Sequence, residues 1–365
     1  MNIGIIGCGK IADEHASAIL AQGGTEIVGA CDRDQLMARQ FAERFGVARH
    51  FGDAKEMLRA CRPRVVHITT PPQSHFALGK LCIEEGCSVF IEKPFTVSAD
   101  EARELVALAE ARGVKLTAGH NHQFSHAATE MRQLVKKGFL GGSVTHMESV
   151  FCYKIDDERY AKALLGDKKH WVRALPGKLL HNVISHGVCK IAEFLRSATP
   201  EVIAVGFSSP LLVSIGEKEI VDELRVVIRE EAGATAYFTF SSQIGPGLHQ
   251  FRLHGPGGSL WADYNQQWVL RAKKGGFRSY LNQFLPPMEF GKQQLFSGLG
   301  NMTKFIRNEF HEDTGRRRLI RLFYESVERG GPVPIPYREI VLTSEIMDQI
   351  FSQIAKKGEV LYEVA

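Results

Sequence analysis

A glycine pattern at the end of the first apolar run constrains this chain more than any other feature. Asn2 to Ile6 reads as a short strand, and Gly7-Cys8-Gly9-Lys10-Ile11-Ala12 follows at once, opening a helical stretch. The pattern is G-x-G-x-x-A. Gly7 permits the tight turn, Gly9 lets the backbone approach a pyrophosphate, and Ala12 lets the helix pack close to the sheet. Lys10 and Ile11 lie in the first helical turn, whose free amides face a phosphate. The second strand, Glu26 to Cys31, closes on Asp32, at the distance where a ribose-binding carboxylate belongs. These residues together predict a dinucleotide site. Asp32 accepts hydrogen bonds from both adenosine ribose hydroxyls and repels a 2′-phosphate, which favours NAD. Arg33 beside it softens that repulsion and keeps NADP open. The competing assignment for Asp32 is a cap on the next helix.

The text up to about residue 120 repeats the same alternation. Apolar, β-branched runs at Ile3 to Ile6, Glu26 to Cys31, Val65 to Thr70 and Val89 to Glu92 are separated by helical patterns, among them Asp13 to Ala21 and a helix ending at Phe45. Near-continuous apolar strands between helices predict a parallel, doubly wound sheet covered on both faces. Ser98 with Glu101 forms a capping box, and Gly113 closes that helix. Beyond residue 122 the grammar changes. Val144 to Tyr153, Val202 to Ile215, Leu224 to Glu230, Ala234 to Ser242, Gln250 to His254, Leu260 to Asp263 and Trp268 to Ala272 read as strands. Most are joined by short turns such as Glu230-Glu231-Ala232-Gly233, which predicts antiparallel pairing. Helical text returns at Thr303 to Glu312, Arg318 to Arg329 and Ser344 to Lys356. The fold class expected is therefore an α/β Rossmann domain over residues 1–120, followed by an α+β domain over 121–365 with a large, mainly antiparallel open sheet.

Composition narrows the function classes. The net charge of +4 is too small to argue for nucleic acid. Seven cysteines with no C-x-x-C spacing read as reduced thiols rather than disulfides or a zinc site. The sequence shows no charged leader before the first strand and no run of membrane-spanning length, so a cytoplasmic enzyme without a signal peptide is expected. The basic cluster Arg316-Arg317-Arg318 reads as a solvated helix face.

Two further strand ends carry chemistry. Thr70-Pro71-Pro72-Gln73-Ser74-His75 leaves the sheet at its carboxyl edge, where ligands bind in such folds. Thr70, Pro71 and His75 are candidate cofactor contacts, with a proline-stiffened helix cap as the alternative. Glu92-Lys93-Pro94 ends the next strand, and Pro94 biases Lys93 to an extended backbone that carries its ammonium over the same edge, where a nicotinamide belongs. Glu92 and Lys93 therefore join the cofactor-side candidates. In the second half, His170-Trp171 offers an aromatic ring for a sugar face, with His170 or Arg173 to bond hydroxyls; a structural tryptophan is the alternative. The histidines at 120, 122, 170, 181 and 186 follow no zinc spacing, and no metal is expected.

The G-x-G-x-x-A start, Asp32, Thr70 to His75 and above all Glu92-Lys93-Pro94 resemble the Gfo/Idh/MocA oxidoreductases, a likeness that extends to the Rossmann half followed by an open sheet. That resemblance implies oxidation or reduction of a carbinol carbon in a sugar, cyclitol or sugar nucleotide, with Lys93 catalytic or polarising the substrate. Ala118 to Phe124 resembles the segment crossing into the substrate domain, which implies Asn121 and His122 near nicotinamide and substrate. The family pattern Gly-Gly-x-Leu-x-Asp-x-Gly-x-His-x-x-Asp is altered over Pro176 to Cys189: His186 matches the catalytic histidine, whereas Asn182 and Cys189 replace the two aspartates. On a helix, Asn182 and His186 share one face. Asn182 bonds substrate but takes no proton at neutral pH. His186 therefore inherits the acid–base task, alone or with Lys93, and His181 is its competitor. Lys190, one turn on, is expected to lower a neighbouring histidine's proton affinity. The reaction centre is expected between the two domains, with Lys93, His122 and His186. The partners expected are a small polyol or sugar and further copies of the chain, as a homodimer or homotetramer through the second sheet. Two rivals are carried. One is an NAD-recycling glycoside hydrolase, for which the missing aspartates leave room; the other is a non-catalytic dinucleotide sensor, against which Lys93 and His186 argue.

Overall fold

Short apolar runs that alternate with amphipathic stretches build the first unit. The computed structural model describes residues 1–152, 164–231, 233–273, 280–307, 309 and 314–357. Six strands, β1 (Asn2–Ile6), β2 (Glu26–Cys31), β3 (His50–Phe51), β4 (Val65–Ile68), β5 (Ser88–Ile91) and β6 (Leu116–Ala118), form a parallel sheet in the order β3-β2-β1-β4-β5-β6. The run β1, β4, β5 is buried almost throughout, as strands covered on both faces must be. Helices α1 (Lys10–Leu20), α2 (Gln35–Phe45), α3 (Ala54–Cys61), α4 (His75–Glu84) and α5 (Ala99–Arg112) connect them. The expected capping box is present: the Ser98 hydroxyl accepts from the Glu101 amide at 3.3 Å, the Glu101 carboxylate accepts from the Val97 amide at 3.0 Å, and Gly113 closes the helix in the left-handed region. Strands β3 and β6, two and three residues long, are absent from the sequence expectation because nothing so short carries a periodicity.

The second unit contains α6 (His126–Lys136), β7 (His146–Cys152), α7 (Lys178–Val183), α8 (Ser185–Ala192), β8 (Glu201–Phe207), α9 (Pro210–Ser214), β9 (Glu223–Arg229), β10 (Thr235–Ser241), β11 (Leu248–Gly255), β12 (Gly258–Asp263), β13 (Trp268–Lys273) and α10 (Leu285–Ile306). Its seven strands run in the order β13-β12-β11-β7-β10-β9-β8. Pairing is antiparallel except between β7 and β10, which are parallel. Strands joined by short turns must pair antiparallel. β7 reaches β10 through a long excursion, which frees it to slot in parallel between β10 and β11.

Three sequence expectations change here. Val202 to Ile215 is not one strand: it ends at Phe207, and α9 follows because the Ser209 hydroxyl caps the Leu212 amide and Pro210 occupies the first helical position. The helix expected at Thr303 to Glu312 begins far earlier, at Leu285, with prolines in its first turn where a missing amide costs nothing. Its expected end, at 308 and 310–312, lies outside the described residues, as do Tyr153 and Ala232. The later helices are longer than expected, α11 (Thr314–Arg329) and α12 (Tyr337–Lys357).

By contacts the chain divides into one unit of residues 1–121 and 316–345 and another of 122–315 and 346–365. The expected uninterrupted domain over 121–365 therefore differs for 316–345, which return to the Rossmann unit. Arg316 pairs with Glu14 at 3.3 Å, the Arg64 guanidinium donates to the Val327 carbonyl at 2.8 Å, and the Leu116 amide donates to the Tyr337 hydroxyl at 3.2 Å. Such long-range bonds leave no trace in local sequence. All seven cysteines are free thiols, and all but Cys61 are buried. Among the described residues, no helix is long and apolar enough to cross a membrane.

Candidate functional site

The dinucleotide motif folds as its residues dictate. Gly7 has φ of 94°, and a Cβ there would lie 2.7 Å from the Thr70 amide nitrogen, so no other residue fits this turn. Gly9 is the N-cap of α1 with no side-chain cap, and a Cβ on it would meet nothing within 4 Å. That open space over an uncapped helix N-terminus, with Lys10 exposed, Ile11 half-buried and Ala12 sealed against the sheet, fits a pyrophosphate. The Asp32 carboxylate accepts from the Cys8 amide at 2.8 Å and the Asp34 amide at 3.0 Å. Asp34, not Asp32, caps α2. The helix-cap alternative for Asp32 is thereby removed, and its carboxylate stands at the strand end beside the glycine turn. The Arg33 side chain is exposed.

At the third strand end, the Thr70 hydroxyl accepts from the Ser74 hydroxyl at 2.7 Å, and Pro71 is exposed at the rim. His75 is fully buried. Its Nε2 faces the Thr70 carbonyl at 2.8 Å and its Nδ1 the Pro94 carbonyl at 3.0 Å. The ring thus ties two loops of the site together, a positioning task rather than a surface for a ligand.

Glu92 and Lys93 stand where β5 ends. Glu92 is buried. One carboxylate oxygen bonds His15 Nε2 at 2.8 Å, and the other accepts the Lys93 amide at 3.0 Å. Burial alone would raise this carboxyl; the His15 bond and the charges of His15, Arg316 and Lys93 outweigh it and bring it down to about 2. Gly119 makes the room, since a Cβ there would lie 2.9 Å from the Glu92 oxygen. His15 continues inward, Nδ1 to His67 Nδ1 at 2.7 Å, and His67 Nε2 meets the Tyr324 hydroxyl at 2.7 Å. Lys93 itself is half-buried. Burial lowers its ammonium below the usual lysine range, opposed by Glu92 and helped by Arg316. His120 is 2% exposed with no hydrogen-bond partner on either ring nitrogen, and burial holds it at about 4. Asn121, beside it, is buried.

In the second unit, α7 and α8 meet at Ile184, whose backbone is still right-handed helical, so Asn182 and His186 keep their one-turn spacing. Both are half-buried. His186 packs edge-on to His122 with ring centres 4.6 Å apart, and His122 packs likewise on His249 at 4.6 Å. His181, the competitor, points elsewhere: it is 1% exposed and stacks on Phe351 at 4.8 Å. His170 caps the 3-10 turn of Trp171–Ala174 and stacks on Trp171 at 5.6 Å, both rings half-buried. Arg173 is lost to the site. Its guanidinium is buried and committed to Glu217 at 2.6 Å and the Leu164 carbonyl at 2.9 Å. Among the described residues, no group of three or more His, Cys, Asp or Glu side chains is placed to hold a metal ion.

Sequence reasoning missed His15, His67, His249 and the burial of Lys190. A signal existed for two of them. His67 interrupts an otherwise apolar buried run, Val65–Ile68, and His249 takes an inward position in the alternation of β11, in step with Phe251 and Leu253.

Comparison with known proteins follows the same lines. Residues 1–120 match the Gfo/Idh/MocA oxidoreductase family, NAD-binding Rossmann fold. The chain is 33% identical over 142 residues to D-glucoside 3-dehydrogenase of Escherichia coli, a match covering 39% of this chain and 40% of that protein. It is 30% identical over 246 residues to trans-1,2-dihydrobenzene-1,2-diol dehydrogenase of Mus musculus, covering 65% of this chain and 67% of the relative. The matched stretch spans only 36–40% of the length of the bacterial D-glucoside 3-dehydrogenase, 1-carboxy-3-chloro-3,4-dihydroxycyclohexa-1,5-diene dehydrogenase and D-apiose dehydrogenase. In fold the whole chain is similar to an oxidoreductase from Agrobacterium radiobacter crystallised with NAD+, L-tartaric acid and magnesium. The TM-score is 0.76 at 16% identity, over 97% of this chain and 96% of that one. A Rossmann sheet with its glycine turn and Asp32, a Glu92-Lys93-Pro94 strand end and a second, mixed sheet thus converge with these likenesses: the chain belongs to the Gfo/Idh/MocA family of oxidoreductases with an NAD-binding Rossmann fold.

Proposed function

We propose that this protein is an NAD-dependent dehydrogenase acting on the carbinol carbon of a sugar, cyclitol or sugar nucleotide. The observation that carries the reading is Lys93, held at the carboxyl end of β5 by its buried neighbour Glu92, in the unit whose Gly9 opening and Asp32 fit the dinucleotide. Relatives that act on a glucoside and on a diol support the substrate class.

When bound, NAD supplies the hydride acceptor. The chain must take the hydroxyl proton and steady the oxygen. His186 is the base in this reading, because histidine starts near neutral pH, whereas Lys93 has to be brought down. Lys93 donates to the substrate oxygen and polarises it in this reading. Asn121 and Asn182 bond neighbouring hydroxyls, and His122, His170 and Trp171 face the sugar. The cofactor contacts in this reading are Gly7, Gly9, Lys10, Ile11, Asp32, Arg33, Thr70, Pro71 and Lys93, with Ala12 packing α1 close to the sheet and Glu92 and His75 holding the loops. Exposed apolar residues on the second sheet, Ile203, Val205, Phe207, Val227 and Tyr237, support a homodimer or homotetramer.

The test is kinetic. Lys93→Met and His186→Ala should each lower turnover on the order of 100-fold, with NAD affinity nearly unchanged in His186→Ala in a fluorescence titration. Near-normal turnover and an unaltered pH profile in His186→Ala would remove His186 as the base.

A further inference from the structure

The second unit gathers four basic side chains from three separated stretches. His122 lies in the turn at Asn121–Phe124, His186 and Lys190 stand one helical turn apart on α8, and His249 lies on β11. Phe151 packs on His186 at 5.4 Å and on His249 at 4.9 Å, and Tyr264 stacks on His249 at 4.8 Å. The Lys190 ammonium lies 4.4 Å from the centre of the Tyr264 ring. His122 and His186 are half-buried, whereas Lys190 and His249 are 1% and 4% exposed. Neither the Lys190 ammonium nor His249 Nε2 has a hydrogen-bond partner.

The acids around the cluster are occupied. Asp263, whose charge reaches Lys190, accepts the Asn265 and Gln266 amides on one oxygen and the Gln250 side chain on the other. Glu193 holds Arg132 and the Gln123 amide. A buried cation without a counter-charge is costly, and the group sheds its proton instead. Burial brings Lys190 down to about 7, opposed by Cys189 and Asp263. Burial pushes His249 well below the histidine range, and the charges of Lys190, His122 and His186 act in the same direction. Burial and mutual repulsion thus disfavour the charged forms of Lys190 and His249. An anion set against His122 removes that penalty and lets Lys190 and His249 take up protons.

We propose that His122, His249 and Lys190, beside the base His186, form an anion-selecting subsite, and that the alcohol this protein oxidises carries a carboxylate, as in a sugar acid or a carboxylated polyol. The inference rests on the reading above that His186 meets the substrate. It narrows the substrate class proposed above to compounds that carry a carboxylate.

The test uses the full chain loaded with NAD and titrated by calorimetry at pH 7 with glucuronate, galacturonate and gluconate, and with glucose, galactose and sorbitol as neutral counterparts. Two buffers of different ionisation enthalpy report proton uptake. At least one acid should bind ten-fold or more tightly than its neutral counterpart, with net uptake of protons. Lys190→Met should reduce that acid-to-neutral ratio ten-fold or more and diminish the uptake. Should that variant not fold, His249→Phe tests the same ratio. Neutral sugars that bind as tightly as the acids, or an acid preference that survives both substitutions, would overturn the subsite. The two readings fail separately. NADH formed from neutral sugars without acid preference leaves the dehydrogenase standing and removes the subsite; acid binding with proton uptake and no NADH from any compound does the reverse.

Discussion

At the scale of single residues, the N-terminal motifs were legible because the turn chemistry is local. Gly7 needs its positive φ, and Asp32 sits at a fixed distance from it along the chain. The structure sharpens Asp32 by giving the cap of α2 to Asp34. Asp32→Ser should therefore weaken NAD about ten-fold while the relative affinity for NADP improves, as read by parallel binding titrations. A wild-type protein that already prefers NADP would contradict the role of Asp32. Lys190 was visible in the sequence as a neighbour of His186, yet its burial was not. Nothing local announces that Tyr264 and Phe251 lie over its ammonium. The same applies to Arg173, an apparent hydroxyl donor whose partners Glu217 and Glu219 lie more than forty residues on.

At the scale of elements, the buried chain Glu92–His15–His67–Tyr324 links a strand end, a helix, a second strand and α11. It holds Glu92, and through Glu92 the backbone of Lys93. Tyr324→Phe leaves His67 Nε2 without its partner and should cost about 1–3 kcal/mol in urea denaturation. The chain also sets a pH dependence. Burial and His15 hold folded His67 well below its ordinary value of 6.5, so below that pH the unfolded chain binds a proton that the folded one refuses. Stability contributed in this way is present above 6.5 and is lost as the pH falls. Glu92, at about 2 when folded against 4.5 when unfolded, adds a second loss between those values. The denaturation midpoint should therefore drop between pH 7 and pH 5, and drop less in His67→Gln. An equal drop in both proteins would remove His67 from the account. The capping box of α5 and the parallel strands were readable because each rests on a short pattern; the return of 316–345 to the Rossmann unit was not, since it rests on bonds such as Tyr324 to His67, 257 residues apart.

At the scale of the whole molecule, both sheets were foreseen in kind, from strand–helix alternation and then from runs of strands. The parallel pairing of β7 with β10 was missed because the rule for short turns does not reach strands joined by a long excursion. Helix α10 carries no buried residue, and Met288, Leu295, Phe296, Leu299, Met302, Phe305 and Ile306 are all exposed along it. With the apolar outer residues of β8 and β9, this is more exposed apolar surface than a monomer ordinarily keeps. Light scattering should give the mass of a dimer or tetramer. Phe305→Glu combined with Phe207→Glu should shift it toward the monomer; an unaltered oligomer would move the interface elsewhere.

Whether Lys93 and His186 serve NAD-dependent oxidation of a carbinol is decided by the formation of NADH. The NAD-loaded protein and its Lys93→Met variant are mixed with a panel of sugars, sugar acids, cyclitols and sugar nucleotides, and absorbance is followed at the reduced-nicotinamide band. The account predicts net NADH from at least one compound with the wild-type protein, a slower rate when the carbinol carbon bears deuterium, and a rate lower by on the order of 100-fold in the variant. NADH formed equally fast without Lys93, or a bound NAD that returns to its oxidised form as a glycoside is cleaved, would contradict it.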